Sequence, residues 1–214
     1  SNLERGLVAG APTGNCTVMV TPDAERSMCT YLGTTAELER GALDVAAIEA
    51  SQLYYMEGYL AASPTGLQAA LAGKAVAKEA GVRLALTLSD MSMINFCREG
   101  LEAMVDGGVD FLFCNEEEAQ QWCDSTDIDA ICVQLSTLAT TVCLTRGASG
   151  CLVIEGPHIT KVAGVAVKAL DTNGAGDMFA GAFLYAVSQG RNNVQAAALA
   201  NACASLVVGQ YGNR

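Results

Sequence analysis

Two carboxylates and a bare stretch of backbone occur together at residues 170–183, "LDTNGAGDMFAGAF". Asp171 and Asp177 bracket Gly174, Ala175 and Gly176, and an apolar run of small residues follows. Small residues at a helix start leave the first N–H groups, which lack partners inside the helix, open to an approaching anion. The helix dipole adds favourable potential for negative charge. A carboxylate at the end of that turn, Asp177, then lies beside the anion. This suits a general base that takes a proton from a hydroxyl attacking a phosphoryl group. The same residues also suit a plain helix start, with Asp171 as cap and Asp177 as a solvated first-turn acid.

Such a loop must be positioned by regular elements. A hairpin is expected of "CTVMVT" (16–21) and "RSMCTY" (26–31), which flank a turn, "PDAE". Strands are expected at 52–59, 82–89, 109–115, 140–147 and 150–156, and helices at 63–81, 93–108, from 116, over "DIDAICVQLSTL", from Gly174 and from Asn193. The catalytic-looking run lies between a strand-like segment and a helix. Strands separated by helices indicate βαβ units and a mainly parallel sheet, and near-continuous apolar strands indicate that both its faces are covered. In such sheets ligands bind beyond the carboxyl ends of the strands. Ser89 and Asp90, Asn115 to Glu118, Thr145 to Gly150 and the 171–177 loop all fall there.

Composition narrows the alternatives. With 214 residues, 51% hydrophobic, the chain can bury a sizeable core, and no apolar run reaches the length of a membrane span. A net charge of −11 without a long basic patch argues against nucleic acid as partner. The nine cysteines are scattered in apolar runs without a C-x-x-C pair, which fits buried small hydrophobes in a reducing cytoplasm rather than disulfides or zinc. "LAGKAVA" (71–77) lacks the earlier glycine and the hydroxyl of a P-loop, and no G-x-G-x-x-G follows the first readable strand. The single histidine, His158, stands beside Pro157 in an expected exposed turn, with no G-x-S-x-G elbow to make a hydrolase triad.

"DTNGAGDMFAGAFLYA" resembles the D-T-x-G-A-G-D signature of the ribokinase-like (PfkB) family of carbohydrate and nucleoside kinases, matched at Asp171, Thr172, Gly174, Ala175, Gly176 and Asp177. "CNEEEA" is similar to that family's N-x-x-E motif, giving Asn115 and Glu118; "LTRGASG" to its nucleotide loop; "ANACASLVVGQYG" to its adenine-side helix. The four stand in the family's order. The resemblance implies a three-layer α/β/α fold with a mainly parallel, Rossmann-like central sheet and a small β lid. Residues 1–35 would be the remnant of the lid hairpin, and 36–214 the kinase core. The family's portion before the hairpin, with its first strands, a Gly-Gly pair and much of the sugar site, lies outside these residues. It is expected to exist beyond them, since the hairpin would otherwise have nothing to cover.

The resemblance assigns Asp177 as base and Gly174, Ala175 and Gly176 as the anion hole. It places ATP against Thr145, Gly147, Ser149, Gly150, Asn201, Asp171 and Asn173, and Mg²⁺ near Asn115 and Glu118 through water; K⁺ is a further cation to expect. For Asn115 and Glu118 a capping box is a local reading that can hold together with the metal role, and for Asn201 the alternative is a polar contact inside a helix pair. The acceptor is expected to be a nucleoside or a sugar. "PTGNCTVMV", "LTLSDMSMINF" and Asn173 look more like the adenosine kinase branch, with Cys16, Met28 and Tyr31 as visible substrate candidates on the lid. A sugar kinase of ribokinase or fructokinase type is the alternative, and a ligand-binding protein without catalysis is the other. A cytoplasmic location and a homodimer through the lid complete the expectation.

Overall fold

The structure is a computed structural model that describes residues 12–21 and 26–212. The expected turn at 22–25 lies outside the described residues. The flanking strands are present as β1 (Asn15–Val20) and β2 (Arg26–Tyr31), paired as a two-stranded sheet. The chain divides into two compact units, one of Ser1–Thr17 and Cys29–Asp110, the other of Val18–Met28 and Phe111–Arg214.

In the first unit a short helix, α1 (Val45–Glu49), leads into β3 (Leu53–Glu57), α2 (Pro64–Glu79) and β4 (Arg83–Thr87). The strands β3 and β4 pair in parallel, with Leu53 opposite Arg83 and Glu57 opposite Thr87, as the helical crossover between them requires. The start of α2 is fixed by Ser63, whose Oγ accepts from Gly66 N at 3.0 Å, and by Pro64 at the first helical position. Its end is fixed by Gly81 at φ +70°, a left-handed residue that lets Val82 N bond back to Ala77 O at 2.8 Å.

The single helix expected at 93–108 is two: α3 (Met91–Phe96) and α4 (Arg98–Val105). Cys97 leaves the helical region at φ −127°, without a glycine or proline to announce it. Asp90 starts α3 earlier than expected, its Oδ1 accepting from Ser92 N and Met93 N. The last turn of α4 is held by the buried Lys74, whose Nζ donates to Met104 O at 2.8 Å and Asp106 O at 2.6 Å. A cation on those carbonyls complements the C-terminal end of the helix dipole.

The second unit carries β5 (Val109–Asn115) from Phe111 onward. It continues through α5 (Glu116–Cys123), α6 (Ile128–Leu135), β6 (Ala139–Thr145), β7 (Cys151–Glu155), β8 (His158–Val162), α7 (Ala175–Ser188) and α8 (Asn193–Val208). Its strands lie in the order β5-β6-β7-β8. Two helices cross from β5 to β6, whereas β6-β7 and β7-β8 are antiparallel. Consecutive residues of these strands are buried, among them Leu112–Phe113, Val142–Leu144 and Leu152–Ile154, as expected for a sheet covered on both faces.

Two sequence expectations need correction here. His158 is exposed but opens a strand, β8, rather than sitting in a turn. The strand-like segment expected before "NGAGD" is not a strand over residues 163–170, where Val165 and Val167 are 47% and 46% exposed. Instead Leu170 N bonds Val208 O at 2.9 Å, so the end of α8 carries the approach to the 171–177 loop. Among the described residues no helix is long and apolar enough to cross a membrane. The nine cysteines are all free, and Cys114, Cys123, Cys132, Cys143 and Cys151 are buried. Burial pushes the thiols of Cys114 and Cys143 well above the ordinary range, so both are neutral packing groups.

Candidate active site

Three loops of the second unit carry the residues singled out by sequence. The first follows β5. Asn115 and Glu118 form a reciprocal capping box. Asn115 Oδ1 accepts from Glu118 N at 2.8 Å, while Glu118 Oε2 accepts from Asn115 N at 3.0 Å and Oε1 from Asn115 Nδ2 at 2.7 Å. The local reading of this pair is therefore realised. It also holds a carboxylate, only 5% exposed, in one orientation at the carboxyl end of a strand.

The second loop follows β6. Thr145 Oγ1 donates to Cys114 O at 3.4 Å, which sets the ends of β5 and β6 side by side. Arg146 then donates from Nη2 to Glu116 Oε1 at 3.1 Å. Gly147 and Gly150 take φ +52° and +87°, turning the chain through a short 3₁₀ segment in which Ser149 is exposed. The two glycines serve different ends. A Cβ on Gly147 would meet nothing within 4 Å, so this face of the loop is open. A Cβ on Gly150 would run into Val162 O and Gly164 N, so this glycine lets two backbone segments of the protein touch. Gly150→Ala is expected to cost more than about 2 kcal/mol, read as a lower denaturation midpoint, whereas Gly147→Ala should cost about 1 kcal/mol.

The third loop opens α7. Asp171 is 5% exposed and is not the helix cap. Its Oδ1 accepts from Asn173 N at 2.9 Å and its Oδ2 from Gly212 N at 3.0 Å, so it braces the loop against the segment after α8. The cap is Gly174, left-handed at φ +76°. Ala175 N bonds Thr172 O at 3.3 Å, and Met178 N is the first to reach back to Gly174 O, at 2.9 Å. Of the N–H groups expected to face an anion, that of Ala175 is thus already engaged, while those of Gly176 and Asp177 have no acceptor within the helix. Asp177 is exposed in this first turn, and a Cβ on Gly176 would meet nothing within 4 Å.

An aromatic set absent from the sequence reading orients this helix. Phe183 packs edge-on against Phe111 at 5.8 Å and Phe113 at 5.6 Å, and Phe179 against Phe113 at 6.4 Å. Phe179 lies two residues after Asp177, and Phe113 two residues before Asn115. The ring contacts therefore run α7 against β5 with its N-terminal turn toward the carboxyl end of that strand. The i, i+4 spacing of Phe179 and Phe183 and the i, i+2 spacing of Phe111 and Phe113 carry this signal in the sequence.

Asn201, 8% exposed on α8, turns its amide nitrogen inward to Ala163 O at 3.0 Å and Val162 O at 3.3 Å. The contact is thus made to the end of β8 and not inside a helix pair. On the hairpin, Cys16, Met28 and Tyr31 are all exposed, and the Thr30 hydroxyl donates to Cys16 Sγ at 3.3 Å. In the first unit Ser89 holds φ +74° at the end of β4. Among the described residues no group of three or more His, Cys, Asp or Glu side chains is arranged to hold a metal ion directly.

The sequence profile described as "pfkB family carbohydrate kinase" matches residues 6–214. The chain is 30% identical over 226 aligned positions to adenosine kinase from Schizophyllum commune, covering 95% of this chain and 64% of that protein. The crystal structure of adenosine kinase from Sinorhizobium meliloti superposes with a TM-score of 0.91 at 34% identity, over 96% of this chain and 64% of that one. A probable sugar kinase from Rhizobium etli CFN 42 superposes with a TM-score of 0.90 at 32% identity, over 95% and 62%. The chain thus spans somewhat under two thirds of the length of these relatives. Profile, similarity and geometry agree that the mixed α/β fold is ribokinase-like, with a mainly parallel central sheet, and that the chain belongs to the pfkB family of carbohydrate kinases.

Proposed function

We propose that the full-length protein transfers the γ-phosphoryl group of ATP to a hydroxymethyl group of an adenosine-like nucleoside, with Asp177 as general base. The observation that carries this reading is the start of α7. A left-handed glycine, an open glycine face and an exposed carboxylate occupy one turn, which the Phe179 and Phe183 rings aim at the end of β5. Asp177 takes the proton of the acceptor hydroxyl as its oxygen bonds to the γ-phosphorus and the bond to the bridging oxygen breaks, so that ADP leaves. The N–H groups of Gly176 and Asp177 stabilise charge on the transferred group.

The residues present fit both partners of this reaction. Gly147 leaves open backbone on the loop beside β5, suited to a nucleotide, with Thr145 and Ser149 next to it. Mg²⁺ keeps most of its waters and binds through phosphates and one or two carboxylates, and Glu118, held in one orientation at the end of β5, is a carboxylate suited to such waters. Asn115 and Glu118 would act through such waters. The ion supplies charge neutralisation on the phosphates.

Glu118→Gln removes one negative charge from this network. It is expected to raise the Mg²⁺ concentration for half-maximal rate about three- to tenfold, while losing no more than about 1 kcal/mol of stability through the weakened capping box. A Mg²⁺ titration of the variant checks this, and an unchanged curve would leave Glu118 with the capping role alone. Sugar is the second acceptor class, favoured by the similarity to a probable sugar kinase at nearly the same TM-score. Calorimetric titration with ATP and Mg²⁺, alongside phosphate transfer to adenosine and to fructose, separates the readings. Binding without transfer to any acceptor would leave a ligand-binding protein.

A further inference from the structure

The sequence motifs give Asn115–Glu118 and Thr145–Gly150 separate tasks, yet the structure joins the two stretches through a pair of residues to which neither motif assigns a role. Arg146 lies between the nucleotide-loop residues Thr145 and Gly147, and Glu116 directly follows Asn115. Their side chains meet at 3.1 Å and are only 30% and 33% exposed. We propose that Arg146 and Glu116 form a positioning bridge that holds the nucleotide loop in register with the metal-organising helix α5, an inference that rests on the kinase reading above.

Three observations carry it. The bridge stands one residue beyond the bond from Thr145 Oγ1 to Cys114 O, so the two strand ends are tied twice in succession, once by a neutral bond and once by a charged one. The Arg146 backbone is itself part of the loop closure. Its N–H donates to Gly150 O at 2.8 Å, and its carbonyl accepts from Ser149 N at 3.0 Å. The residue that carries the guanidinium is therefore tied by its own backbone to Ser149 and Gly150. Finally, Arg146 Nη2 meets Glu116 Oε1, and Arg146 Nε is buried without a hydrogen-bond partner among the described residues, so the contact to Glu116 is the ion pair the guanidinium makes there. Without Glu116 a partly buried cation would lose its anion, and the loop would have reason to turn it toward water.

A guanidinium can hold this geometry where an ammonium cannot. It meets Glu116 through Nη2, at the end of a rigid planar group with a reach and direction that a flexible ammonium does not reproduce. The bridge touches no reacting atom in this account. Its effect should fall on how well the loop is formed before nucleotide arrives, hence on affinity rather than on the chemical step.

The test is a double-mutant cycle in the full-length protein, with Arg146→Met, Glu116→Gln and the two combined. It is read by calorimetric Kd for ATP with Mg²⁺, and by kcat and KM for ATP. Each single variant should weaken ATP binding about three- to tenfold with kcat changed less than about twofold, and the double variant should equal the singles rather than multiply them. Arg146→Lys should recover only part of the affinity. A melting curve of each variant separates loop positioning from general loss of fold. Unchanged Kd in both single variants, or losses that multiply in the double, would overturn the bridge. If the wild-type protein bound ATP and Mg²⁺ but transferred no phosphate, the kinase reading would fall while the cycle in Kd still decided the bridge. No nucleotide binding by the wild type would overturn both.

Discussion

Asp177→Asn should lower kcat by about 10²- to 10⁴-fold while leaving ATP affinity within a few-fold of wild type. The amide keeps the size of the carboxylate and removes only its ability to accept the hydroxyl proton. The structure makes this a clean substitution. Asp177 is exposed, and its helix is anchored by Phe179 and Phe183 rather than by the carboxylate. Its loss should therefore move the melting temperature by no more than a few degrees, chiefly through the lost favourable charge at a helix start, worth roughly 0.3–1 kcal/mol. A single-turnover measurement of phosphate transfer reads the chemical step directly. Turnover within a few-fold of wild type would remove Asp177 from the role of base.

Gly176→Val should have an effect of similar size for a different reason. Gly176 keeps ordinary helical backbone, and a Cβ there meets nothing within 4 Å, so the helix can accept the side chain. The branched side chain instead occupies the space from which a phosphoryl oxygen would reach the N–H groups of Gly176 and Asp177. Loss of one such donor costs on the order of 10²–10³ in rate. Valine is no worse a helix former than glycine, so the fold should survive. Gly174 would be the wrong position for this test, because its φ of +76° penalises any side chain whatever the ligand does. The paired measurements are kcat and a melting curve. Retained turnover would mean that no anion approaches this turn, and a collapsed melting temperature would mean that the glycine serves packing.

The start of α7 was legible because small residues bounded by two acids read as a helix start whichever role the acids take. The long apolar elements were legible for the same reason, since burial on both sheet faces leaves an unbroken hydrophobic run. What the sequence hid were effects decided by neighbours. The strand "HITKV" has a partner on one side only among the described residues and carries exposed polar positions, so that its first residue, His158, reads as part of the turn. Cys97 interrupts a helix that its own composition would continue. Segment 163–170 alternates like a strand yet turns Val165 and Val167 outward.

Among the site residues, a difference in role between Gly147 and Gly150 cannot be read from two identical letters. It appears only once the backbone at 162–164 is found against Gly150. Asn201 is similar: a buried amide on a helix can serve a ligand or a strand end, and here its nitrogen is turned to the end of β8. The Arg146–Glu116 pair bridges 30 positions of sequence, and nothing local marks it.

The most direct test of the account is ADP release by the full-length protein with ATP and Mg²⁺, using adenosine, inosine, ribose and fructose in turn and Asp177→Asn as the matched control. ADP release should depend on the acceptor, be greatest with adenosine and fall about 10²-fold or more in the control. Release equally fast with no acceptor, or an Asp177→Asn variant as active as wild type on every acceptor, would contradict the account.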